Sequence, residues 1–102
     1  MKPSIGRIVH VIVPPAHNNT GDVAPAVITR VFSDQCVNLR ILHDGPSVPP
    51  DGSYRQDWQT SVPLYESREA LEAANPNVSG VPFGAFWPPR VEHQPGDRPA
   101  TY

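Results

Sequence analysis

A chain of 102 residues suits one small domain, near the lower limit for holding a core without help. Its 8 basic and 10 acidic residues give a formal net charge of -2, which excludes the broad positive footprint of a nonspecific nucleic-acid binder. The lone Cys36 excludes an internal disulfide and fits a reducing compartment.

The 14 prolines are about three times the usual share, and they cluster. Residues 4–13 and 26–43 hold none, whereas 46–50, 82–89 and 95–99 are dense with them, so a compact folded part joined by stiff connections is expected. The longest apolar run, 8–15, contains His10 and is too short to span a bilayer, and no apolar segment with a cleavage site follows Lys2. A soluble protein of the cytoplasm is the expectation, with no membrane partner.

In chain order, IGRIVHVIV (5–13) is rich in β-branched residues and stops at Pro14 and Pro15, which predicts a strand. A long polar loop follows, with Asn18, Asn19, Gly21 and Asp22 as turn formers. AVITRVF (26–32) and VNLRIL (37–42) predict two more strands, close enough to form an antiparallel hairpin. After a second turn-rich loop, residues 59–64 predict a short fourth strand, with Pro63 suiting an edge. ESREALEAANP carries the one helical signal, over about 67–75, with Ser67 as cap and Asn75-Pro76 as stop. GAFWPPRV (84–91) is the candidate last strand, an edge because neither Pro88 nor Pro89 can donate to a ladder. The expected fold is mainly β: a small curved antiparallel barrel of the SH3-like kind, with an OB-like barrel as second choice, one short helical insertion on its side, a domain over 1–93 and a flexible tail over 94–102.

Catalytic signatures are weak. No serine has a G-x-S-x-G context, Cys36 has no evident base beside it, and there is no P-loop or G-x-G-x-x-G. The four histidines show no paired ligand spacing, one cysteine builds no zinc site, and Glu69 with Glu72 reads as a solvated helix face. A non-enzymatic protein without cofactor or metal is expected.

Polar residues inside the strands are more informative. Arg7 and His10, Thr29 and Arg30, and Asn38 and Arg40 interrupt otherwise apolar runs, and alternation puts Asn38 and Arg40 on one face. Guanidinium forks suit phosphate or carboxylate, so several strand arginines on one concave surface would bind an anionic small molecule without a large net charge. Trp58, Trp87, Tyr54, Tyr65, Phe83 and Phe86 supply rings for stacking or burial. The candidate ligand contacts are Arg7, His10, Arg30, Asn38, Arg40, Trp87 and Arg90. For each single residue, the plainer reading is an outward-facing or core position. The Pro46-x-x-Pro49 and Trp-Pro-Pro-Arg runs also match, weakly, extended ligands for a partner.

Both ends and the central hairpin resemble a family of small, mostly uncharacterised proteins of tailed bacteriophages. Members typically begin P-S-x-G-R-I-V-H, continue with A-x-I-x-x-V and V-x-L-x-x-L strands, and end H-W-P-x-R-V. Here Ser4, Gly6, Arg7, Ile8, Val9 and His10 match the first block, Ala26, Ile28 and Val31 the second, and Trp87, Pro88, Arg90 and Val91 the last. Phe86 stands where the family usually has His, and the helical segment is an addition relative to shorter members. The resemblance implies a phage origin, hence a host bacterial cytoplasm, and a small β fold. Taken with the arginines, it leads to an expected oligomeric module that sequesters an anionic, nucleotide-like ligand, such as a host immune signal. The alternatives are an inhibitor or adaptor acting on another protein and a minor virion component. Self-association is expected because a small barrel with open edges gains from pairing them.

Overall fold

The structure, a computed structural model, describes residues 1–89. Arg90 and the expected tail lie outside the described residues. Five strands run as β1 (Ile8–Ile12), β2 (Val23–Ser33), β3 (Cys36–Ile41), β4 (Trp58–Tyr65) and β5 (Ala85–Phe86), with helix α1 (Arg68–Ala74) between the last two. They close into one barrel in sequence order, β1-β2-β3-β4-β5. The mainly β barrel with one short helix is therefore as expected. Consecutive order also lacks the crossover of a Greek-key, OB-type barrel.

Closure explains the helix. Five strands alternating in direction around a closed barrel must leave one parallel pair, because five is odd. That pair is β4 with β5, matched Leu64 to Ala85 and Tyr65 to Phe86, while β5 runs antiparallel to β1. Parallel neighbours need a crossover rather than a hairpin, and α1 supplies it. The antiparallel barrel expected from the sequence is thus corrected at this one pair, and α1 lies in the connection that closes the barrel.

Inward positions alternate as the sequence predicts. Val9 and Val11, Ala24, Ala26 and Ile28, Val37, Leu39 and Ile41, Val62 and Leu64, and Ala85 fill the core, with Trp87 added just beyond β5. Leu71 brings α1 into contact with the barrel and is fully buried.

The differences are at the strand ends and edges. β1 starts at Ile8 because a turn precedes it, with Gly6 at φ +92° and the Arg7 N–H donating to the Ser4 carbonyl at 3.1 Å. β2 begins three residues early and includes Pro25, whose carbonyl accepts the Leu42 N–H at 2.9 Å. Pro63 is not on an edge strand: β4 pairs with both β3 and β5, and Pro63 sits opposite Cys36. Of GAFWPPRV, the described residues 84–89 contain two strand residues, Ala85 and Phe86, with Trp87 and the two prolines after them, and β5 has neighbours on both sides. Closure also removes the open edges on which the expectation of self-association rested.

Candidate functional site

One end of the barrel is built by its two long loops. The β1–β2 loop turns through a short 3₁₀ segment, Pro15–His17, and meets the β3–β4 loop directly. Asn18 laces them. Its Nδ2 donates to Thr20 Oγ1 at 3.1 Å and to the carbonyls of Gly21 and Val23 at 3.0 and 3.2 Å, while its Oδ1 accepts the Asp44 N–H at 2.7 Å. The Asn19 N–H donates to the Asp44 carbonyl at 2.6 Å. Contact is so close at Gly45 that a Cβ there would lie 2.8 Å from the His17 carbonyl oxygen.

This lacing brings His17 and His43 to 5.9 Å between ring centroids, at a steep 67°. His43 Nδ1 is 2.9 Å from Asp57 Oδ1, so it carries the proton that the carboxylate accepts. Burial lowers the His43 pKa, and neighbouring Arg55 and His17 push the same way against the raising effect of Asp57. The ring is neutral at pH 7, its side chain is 2% exposed, and its Nε2 is left as an acceptor. Ser53 Oγ donates to Asp51 Oδ1 at 2.6 Å, which leaves its lone pairs to accept from His17 Nε2, also at 2.6 Å. Arg55 completes the loop: Nη1 donates to the Gly45 and Pro46 carbonyls at 3.1 and 2.7 Å, and Nη2 to Asp57 Oδ2 at 3.1 Å. Its Nε lies 3.0 Å from Asp57 Oδ1, misaligned for a hydrogen bond.

Between these loops and the 81–84 segment is a cavity of about 230 Å³. His17 and His43 line it, with Tyr54, Gln56, Gln59 and Phe83. Tyr54 is 86% exposed, and Phe83 is half exposed. Such a lining offers planar rings for stacking and amides that can both donate and accept. Sequence reasoning missed this group because its members come from separate segments of low regularity. The one legible signal was the presence of His17 and His43 in the two longest loops.

The seven expected ligand residues do not form one site. His10 and Trp87 line a second cavity of about 600 Å³ beside the start of α1. His10 packs edge-on against Phe86 at 5.8 Å, and burial lowers its pKa. Trp87 is a core residue, with the Arg7 guanidinium 5.3 Å from its ring centre. Asn38 is buried, and its Oδ1 accepts the Ser61 N–H at 2.9 Å. It thereby holds an irregularity in the β3–β4 ladder where Ser61 has φ 53°. Arg30 and Arg40 are exposed on the outside of β2 and β3, away from both cavities. Arg90 lies outside the described residues.

Among the described residues no group of three or more His, Cys, Asp or Glu is placed to hold a metal ion, and no helix is long and apolar enough to cross a membrane. Comparison with protein-family models, with curated proteins and with solved structures finds no match for this chain.

Proposed function

We propose that this protein is a non-enzymatic binding module whose laced loops hold a nucleotide-like small molecule by its base. The observation that carries this reading is the lining of the loop-end cavity, where Tyr54 and Phe83 rings stand with the Gln56 and Gln59 amides and an unprotonated His43 Nε2. At about 230 Å³ the cavity is below the range that encloses drug-sized ligands, so it takes a planar base and leaves sugar and phosphate at the mouth.

The hydrogen bonds favour binding over turnover. Ser53 gives its proton to Asp51 and receives one from His17, the reverse of a serine that a histidine base activates. Arg55 is held by two carbonyls and a carboxylate, so it is not free to clamp a reacting phosphate. In a phage-encoded protein, tight binding without turnover would act by sequestration.

A thermal-shift panel of nucleobases, nucleosides, cyclic dinucleotides and ADP-ribose tests this, since a ligand bound only by the folded state raises Tm by mass action. Expected are a shift with at least one base-containing compound, its loss in Gln59→Ala, and intact ligand recovered unchanged. A panel without any shift, or one in which the ligand is consumed, overturns the proposal.

A further inference from the structure

The outer face of the sheet bears a feature that the loop-end cavity does not use. Register places Ile8 opposite Val27, Val27 opposite Arg40, and Arg40 opposite Trp58, so these four side chains form one row across β1 to β4. All four point away from the core. Ile8 is 43% exposed and Trp58 46%. Next to the row, Phe32 is 47% exposed and carries the Arg30 guanidinium 4.6 Å from its ring centre.

Charge on this face is one-sided. β2, β3 and β4 contain no acidic residue; Asp34 is in the β2–β3 turn, and Asp57 and Glu66 flank β4. Asp57 is engaged by His43 and Arg55. Among the described residues Arg55 and Arg68 are paired with carboxylates, whereas Arg30 and Arg40 have none within ion-pair distance. Lys2 and Arg7 also have no carboxylate partner among the described residues, but on β2 and β3 the available cations are these two guanidiniums, set among exposed aliphatic and aromatic side chains.

We infer that this face docks an acidic, apolar-bearing segment of a partner protein, with carboxylates on Arg30 and Arg40 and apolar side chains over Ile8, Val27 and Trp58. One feature favours protein over nucleic acid: half of the row, Ile8 and Val27, is aliphatic and offers no stacking surface for bases. Barrel closure matters as well. With no free strand to extend, a partner must bind across the face and not along an edge.

The test uses fluorescence anisotropy with three labelled probes: a peptide alternating glutamate with leucine and phenylalanine, its lysine-for-glutamate counterpart, and an oligothymidylate. The acidic peptide is expected to bind best and to weaken with salt. The paired substitution Arg30→Glu with Arg40→Glu should cost on the order of tenfold or more in affinity, and Trp58→Ala a comparable loss, with Tm nearly unchanged because all three side chains are exposed. Equal binding of the lysine peptide, preference for the oligonucleotide, or no binding of the acidic peptide overturns the inference. None of these outcomes bears on ligand binding at the loop end.

Discussion

At the scale of single residues, Asn18 and Gly84 have the largest local consequences. Asn18 is buried and uses both ends of its amide, joining the β1–β2 loop to Asp44 of the next loop. Asn18→Ala would remove the two amide hydrogens shared among Thr20, Gly21 and Val23 and leave the Asp44 N–H without its acceptor. A loss of about 2–3 kcal/mol is expected in urea unfolding. Gly84 has φ +155°, and a Cβ there would lie 2.6 Å from Leu71 Cδ1 and 3.0 Å from Tyr65 Cε2. Gly84→Ala should therefore cost about 1–3 kcal/mol through strain and overpacking beside α1. Neither role was visible in the sequence, where Asn18 read as an ordinary turn former and Gly84 as the first residue of the last strand. Asn38 is similar: strict alternation turns it outward beside Arg40, and only the irregular β4 ladder reveals the Ser61 N–H that it accepts.

At the scale of elements, α1 is too short to be stable alone, since isolated helices below about twelve residues are marginal in water. Ser67 Oγ accepts the Ala70 N–H at 3.1 Å at its start, and Asn75 Nδ2 donates to the Leu71 carbonyl at 2.8 Å at its end. Arg68 reaches across to Asp22 at 2.7 Å, tying the helix to the β1–β2 loop, but both side chains are partly exposed and the pair adds little. Burial of Leu71 is the main contribution. Leu71→Ala is expected to cost about 2–5 kcal/mol and to speed amide exchange in α1 and β5 together, because both pack on it. Ser67→Ala should cost about 1 kcal/mol and leave β5 protected. Equal protection of β5 in wild type and Leu71→Ala would show that closure does not depend on the helix. The helix itself was legible, down to its cap and stop, because capping and termination are local chemistry. Its purpose was not, because a crossover has meaning only once β4 and β5 are known to be parallel.

At the scale of the whole molecule, stability should fall in acid in two stages. Burial depresses the pKa of His43 and of His10, so the unfolded chain binds protons more readily than the folded one. Their contribution is fully present above the ordinary value of 6.5 and is lost as pH falls through the depressed folded values below it. A second loss belongs below 3.8. The hydrogen bond from Arg68 lowers Asp22, and those from the Ser53 hydroxyl and N–H lower Asp51. Burial alone would raise Asp57, but the hydrogen bond and charge of Arg55, with His43, hold it down. Scanning Tm against pH should show both steps, and His43→Asn, which keeps a donor towards Asp57 without titrating, should flatten the first; an unchanged first step would assign it elsewhere. Sequence alone determined that this chain forms a small β barrel, because β-branched alternation, turn residues and proline stops act over a few neighbours. Tertiary structure alone decided which loops meet, that His17 faces His43, that Trp87 is core, and that Arg7 lies over Trp87 while Arg30 lies over Phe32. Those facts depend on closure and register, which join residues far apart in the chain and leave no periodic trace along it.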